Sequence, residues 1–168
     1  MPSYYHIMHK RTLSIALLCW AGSTLAAPYK IDITLPNISA GDYERPYAAV
    51  WIANSKNKPQ RVVQLWYEDE RWLKDLKYFW RRVLRKDEHA ADGVTGATKG
   101  PGVYSLLWDG LDNKGKDLPS GHYKLCAEVA REHGGHNAKC LTFDWPLGQK
   151  SELKLEGELS QLSIEATP

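Results

Sequence analysis

From residue 29 onward, apolar and polar positions alternate. Tyr29–Leu35 sets Ile31, Ile33 and Leu35 on one face, the period of two that marks a half-buried strand. Residues 47–53 and 61–67 are rich in Val, Ile, Trp and Tyr and are separated by a polar turn at 54–60, which predicts a hairpin. The period then changes. Over about 71–86 the residues Trp72, Leu73, Leu76, Phe79, Trp80, Val83 and Leu84 share one arc of a 3.6-residue wheel. Arg71, Lys74, Lys77, Arg81, Arg82 and Arg85 fill the opposite side. Asp69 and Glu70 precede this run and Lys86 follows it, the orientation that a helix dipole favours. The pattern predicts one amphipathic helix packed on a sheet. Its basic face reads as a solvated surface, with docking of an acidic redox partner or peripheral contact with an anionic membrane as the functional alternatives.

Residues 87–102 form the one long irregular stretch. Strand signals resume at 103–108, 123–131 and 138–145, with weaker ones at 152–156 and 162–166. Between Trp108 and Tyr123 the chain is dense in Asp, Asn, Gly and Pro. Asp and Asn side chains cap such turns, Gly115 supplies a positive φ, and Pro119 with Gly121 closes a second turn. The spacing from Asp109 to Gly115 does not fit an EF-hand loop, so these acids read as turn chemistry and no metal site is expected. Short strands separated by turns of this kind predict a mainly β fold, an Ig-like antiparallel β-sandwich carrying one helix.

The first residues read as an export signal. Lys10 and Arg11 precede a short apolar run over 12–25, and small residues at 23–27 offer a cleavage site. The run is too short for a membrane span, and the alternative to a cleaved signal is an uncleaved N-terminal anchor. The expected organisation is a signal peptide over 1–26 and a single domain over 27–168. Removing the signal takes two basic residues and no acids, so 22 Lys+Arg against 20 Asp+Glu becomes 20 against 20. A balanced chain argues against nucleic acid as a partner, because phosphate binding requires a basic surplus. Cys19 leaves with the signal, and Cys126 and Cys140 remain as an even pair. A hairpin turning near Gly134 and Gly135 brings the two into disulfide reach, as expected outside the cytoplasm. The alternatives are two free strand cysteines or a Cys/His metal site with His133 and His136, for which no zinc spacing is present.

The residues pointing most directly at chemistry are Asp92, Gly93, Val94, Thr95, Gly96, Ala97 and Thr98. They resemble the acceptor motif of bacterial FMN transferases, in which Asp, usually Gly, any residue, Ser/Thr, Gly, Ala and Ser/Thr follow one another. Those enzymes split FAD and join FMN through its phosphate to the last hydroxyl. The resemblance implies Thr98 as the covalent acceptor, with Asp92, Gly93, Thr95, Gly96 and Ala97 read by the transferase. Glycines at 93, 96, 100 and 102 suggest an exposed, bendable strip in which Ala97 leaves Thr98 uncrowded. Attachment through the phosphate leaves the flavin ring free for redox work.

The turn from Trp108 to Tyr123 resembles that of flagellar-hook-cap-like immunoglobulin domains. The helix, the flavin-type motif, this turn and the run from Cys126 to Gly135, in that order, resemble the DUF2271 family of predicted periplasmic proteins. That resemblance implies an exported Ig-like sandwich, associated with FMN transferases and with PepSY-type membrane proteins thought to pass electrons across the inner membrane. The expectation is a periplasmic electron carrier with covalent FMN rather than a stand-alone enzyme. The alternative is a non-enzymatic Ig-like interaction module without cofactor. No Ser/His/Asp, Cys/His or paired-carboxylate arrangement suggests catalysis by side chains. Trp66, Trp72, Trp80, Trp108 and Trp145 can each serve as core or as cover for a flavin ring. His133 and His136 read as ornaments of the hairpin turn, with proton donation to flavin as the functional alternative.

Overall fold

The alternation starting at Tyr29 folds as read in the computed structural model, which describes residues 28–39 and 43–167. The expected signal peptide lies outside the described residues. Nine strands follow in chain order: β1 (Tyr29–Leu35), β2 (Tyr47–Asn54), β3 (Pro59–Trp66), β4 (Thr95–Gly96), β5 (Gly102–Trp108), β6 (Gly121–Ala130), β7 (His136–Trp145), β8 (Ser151–Lys154) and β9 (Gln161–Ala166). They form two sheets, a four-stranded one in the order β5-β1-β9-β8 and a five-stranded one in the order β4-β3-β2-β6-β7. All pairings are antiparallel except β3 with β4. The protein is a β-sandwich, and only the two-residue β4 escaped the sequence pattern.

The centre of the larger sheet explains the unbroken apolar run of β2. Ala48, Val50 and Ile52 face the smaller sheet, with Ile31, Ile33, Leu125, Leu162 and Ile164 in one core. Ala49, Trp51 and Ala53 face outward into a second core with Leu73, Leu76, Phe79, Val83 and Leu84. A strand covered on both faces has no polar side to present. The turn between β5 and β6 behaves as its composition predicts. Asp109 accepts the Leu111 N–H at 3.0 Å, Asp112 accepts those of Lys114 and Lys116 at 2.8 and 2.9 Å, and Gly115 has φ +71°. These backbone donors hold the Asp112 carboxyl below its ordinary range.

The helical layer departs from the expected single helix over 71–86. It consists of a 3₁₀ turn at Glu70–Asp75, an α turn at Lys77–Phe79 and a π turn at Trp80–Leu84, interrupted at Leu76 with φ −77° and ψ 68°. An uninterrupted helix would send the Tyr78 and Phe79 N–H groups to carbonyls four residues back. Here both donate instead to the Glu128 carboxylate on β6, at 3.0 and 2.6 Å. The apolar spacing fits the broken path. Leu73, Leu76 and Phe79 are three residues apart, as in a 3₁₀ turn, and the wider π turn then carries Val83 and Leu84 back to the sheet. Trp72 rotates out of the predicted arc and is 42% exposed.

Glu128 is fully buried, and His136 Nε2 lies 2.7 Å from its Oε1 as a third partner. His136 is therefore not an ornament of the turn, as the sequence suggested, but joins β7 to the helical layer. A second buried pair, Arg131 with Glu158, ties the β6–β7 turn to the loop before β9, and the Gly135 N–H donates to the same carboxylate at 2.7 Å. Bonding to Glu158 holds the Arg131 guanidinium above its usual range.

Cys126 and Cys140 stand directly opposite each other on β6 and β7 and are disulfide-bonded, with Cα atoms 4.0 Å apart. The hairpin turns where expected, with Gly134 N–H donating to Arg131 O at 3.0 Å.

Two stability predictions follow from these contacts. Glu128→Ala leaves the buried Phe79 N–H and the part-buried Tyr78 N–H without an acceptor and should cost about 3 kcal/mol, read as a lower urea midpoint at unchanged slope. Glu128→Gln keeps one acceptor oxygen and should cost less than half of that; equal losses would mean that the contacts do not carry the effect. The disulfide closes a loop with a sequence separation of 14, so replacing both cysteines by Ala should cost about 3 kcal/mol. Alkylation of the unfolded, unreduced protein should find no free thiol in the exported chain.

Candidate functional site

The outer edge of β3 would expose unpaired backbone donors if nothing covered it. The flavin-type motif covers it. Leu65 N–H donates to Val94 O at 2.9 Å and Tyr67 N–H to Gly96 O at 3.0 Å, which makes Thr95–Gly96 a parallel edge strand. The Gln64 side chain adds a bond from Nε2 to Val94 O at 2.8 Å. Gly93, with φ +79°, lets the chain enter this edge, a conformation that a side chain would strain. Beyond the strand, Gly100 O accepts the Tyr104 hydroxyl at 2.8 Å, and the Tyr104 ring stands edge-on to Trp66 at 5.1 Å. The strip is pinned along its length by four hydrogen bonds.

This corrects the expectation of an exposed, bendable acceptor strip. Asp92, Gly93, Thr95 and Ala97 are exposed and Gly96 is half-buried, but Thr98 retains only 5% exposure. The reason is the sheet edge: once β4 pairs with β3, its residues alternate between solvent and the body of the domain. Among the described residues no hydrogen bond engages the Thr98 side chain. No fully buried side-chain oxygen or nitrogen among the described residues lacks a partner.

Asp92 gains a neighbour that the sequence reading missed. Its Oδ2 lies 3.1 Å from Nδ1 of His89, and its N–H donates to His89 O at 3.0 Å. The spacing of three residues in a turn was the available signal. Between the helical layer and the strip runs a groove of about 610 Å³. Tyr67, Leu73, Trp80 and Leu84 form its apolar wall; Glu70, Arg85, Glu88 and His89 supply charge; Asp92 and Thr95 bring the motif to its rim. This volume lies within the range of small-molecule sites. Trp80 is half-buried there, whereas Trp66 and Trp108 belong to the core, Trp145 packs against it and Trp72 points to solvent.

The basic helix face is only partly free. Arg71 pairs with Asp69, Lys74 lies over the Trp80 ring at 5.8 Å, Arg81 over Tyr78 at 5.5 Å, and Arg85 enters the groove. His133 is exposed beside Glu132. Among the described residues no cluster of three His, Cys, Asp or Glu side chains is placed to hold a metal ion, and no helix is long and apolar enough to cross a membrane.

A family model described as "Predicted periplasmic protein (DUF2271)" matches residues 28–161. The chain belongs to the DUF2271 family. Nothing among the curated proteins or the solved structures matches it. The DUF2271 match runs from the start of β1 to the start of β9 and includes the helical layer, the strip and the disulfide. An FMN group tests the geometry of this DUF2271 domain in two ways. The groove has the size and the mixed aromatic and polar wall that a planar tricyclic ring requires, so the residues beside the motif fit. The buried Thr98 fits an acceptor only if the strip lifts.

The hydrogen bonds of the strip set how readily it lifts. Gln64→Ala removes one of them and should speed amide hydrogen exchange at Leu65 and Tyr67 several-fold, with the β2–β6 amides unchanged. Uniform acceleration over the whole domain would show instead that the strip opens only with global unfolding.

Proposed function

We propose that this DUF2271 protein is a periplasmic flavoprotein electron carrier, with FMN joined by a phosphoester to Thr98 and a PepSY-type membrane protein as its electron-transfer partner. One observation carries the reading: every defined position of the acceptor motif is present, and the motif lies along the rim of a ring-sized groove. An FMN transferase would supply the reaction. The Thr98 Oγ1 attacks the FMN-side phosphorus of FAD, the pyrophosphate bond breaks, AMP leaves, and the hydroxyl proton passes to a base on the transferase. The protein gains the mass of FMN less water.

Covalent attachment suits an exported protein, because a tethered flavin keeps a high effective concentration at its site where a free one would dilute away. Export by the segment at 1–26, cleaved before the domain, belongs to the same reading. The burial of Thr98 adds a condition. Labelling proceeds through local opening of the strip or before it closes, and low-stability edge segments are where such openings occur.

The competing reading is a redox-silent Ig-like interaction module. Thr98 at 5% exposure favours it, as does the edge strand β5, where Val103 and Leu107 are each 67% exposed.

Co-expression with an FMN transferase and magnesium separates the two. The exported wild type should gain FMN mass and show flavin fluorescence in a denaturing gel. Thr98→Ala should lose both and still fold. Thr95→Ala should weaken labelling without moving it, and Asp92→Ala should reduce it. An unmodified wild type beside a transferase that labels a known acceptor would leave the interaction module as the function.

A further inference from the structure

The groove beside the motif is not used by the attachment step written above. Its composition nevertheless matches the far end of the group that Thr98 would carry. We propose that the groove between the helical layer and β4 is the seat of the flavin ring, with Tyr67 and Trp80 as aromatic walls and Arg85, Glu88 and His89 setting the charge around it. This rests on the reading of Thr98 as the acceptor.

Three observations support the seat. First, reach: Thr95 is on the rim, and three extended residues span at most about 10 Å, so the Thr98 backbone lies within that distance of the groove, its side chain turned to the body of the domain until the strip lifts. A ribityl chain with its phosphodiester bridges such a gap. Second, wall chemistry: the floor is apolar through Leu73 and Leu84, and Trp80 is the tryptophan that borders both the groove and the helical core. An isoalloxazine ring is flat and apolar on its faces and polar along its pyrimidine edge, so it matches aromatic walls with charges at the rim. Third, orientation: Asp92 holds Nδ1 of His89 at 3.1 Å, and Nε2 lies 3.7 Å from Glu88. A motif acid thereby positions an imidazole at the rim, where it can hold a proton for the ring nitrogens.

The charges also set a direction for the redox potential. Glu70, Glu88 and Asp92 outnumber Arg85 and His89 around the groove. Reduction places negative charge on the ring, and acidic neighbours oppose it while Arg85 favours it. Glu88→Gln should therefore raise the midpoint potential of the seated flavin and Arg85→Gln should lower it. A ring free in solvent would respond to neither.

The test uses exported protein co-expressed with the transferase, with intact mass measured on the same sample. Stacking against Trp80 and Tyr67 quenches flavin emission, so fluorescence should rise several-fold when the labelled protein is unfolded in urea. Trp80→Leu should recover most of that emission in the folded state. If Trp80→Leu fails to fold, as judged by circular dichroism, the two potential shifts carry the test. A labelled protein with equal emission folded and unfolded, and potentials that ignore Glu88 and Arg85, would overturn the seat while leaving the tether on Thr98 intact. If the wild type is not labelled, free riboflavin is the probe. Saturable quenching that Trp80→Leu abolishes would support the seat without the tether, and absence of quenching would overturn it.

Discussion

A carboxylate with no exposure to water sits beneath the helical layer, and the shape of the candidate site follows from how its charge is met. Glu128 takes the N–H groups of Tyr78 and Phe79 and the imidazole of His136. Burying such a group unpaired would cost several kcal/mol, so the helix breaks at Leu76 to supply donors. The break sets the path of everything after it. Trp80 N–H returns to Leu76 O at 2.7 Å, and Arg85 N–H to Trp80 O at 2.9 Å, which closes the wider turn. That turn presents Trp80, Leu84 and Arg85 to the groove. An unbroken helix would have aimed a different set.

The sheet edge supplies the other wall. A sandwich must dispose of the donors along its outer strands, and β3 does so by pairing with the motif strip. One short segment thus serves backbone satisfaction and carries the acceptor sequence. The two demands conflict. Pairing buries Thr98, whereas the proposed modification requires the hydroxyl to be reached. The two-residue strand is held to β3 and the residue after it by three hydrogen bonds, and so short an edge is the kind of segment that opens at low cost. The two cores and the disulfide across β6 and β7 hold the rest of the domain.

Charge around the groove is arranged by similarly local means. His89 and Asp92 meet within one turn, Arg71 pairs with Asp69, and Lys74 lies over the Trp80 ring. The basic face that looks continuous on a helical wheel is broken into separate contacts. Among the described residues Arg71 is the only one of these cations held by a carboxylate; the ring contacts of Lys74 and Arg81 orient them and leave their charge in place.

The sequence by itself determined the strands, the hairpin cysteines, the capped turn from Asp109 to Gly121 and the presence of the motif. Each of these is written in residues close along the chain: alternation of side chains, turn residues with special φ, two cysteines on either side of a glycine-containing turn. It also assigned Leu73, Leu76, Phe79, Val83 and Leu84 to a buried face. Only the tertiary structure decided where the helix breaks, that His136 answers a buried acid, and that Thr98 lies against the body of the domain. Glu128 lies 50 residues beyond Tyr78, and β4 reaches back 30 residues to find Gln64. A wheel or a motif holds no record of a partner so distant. Backbone groups that need an acceptor take the one folding brings to them, and that choice belongs to the assembled sheet.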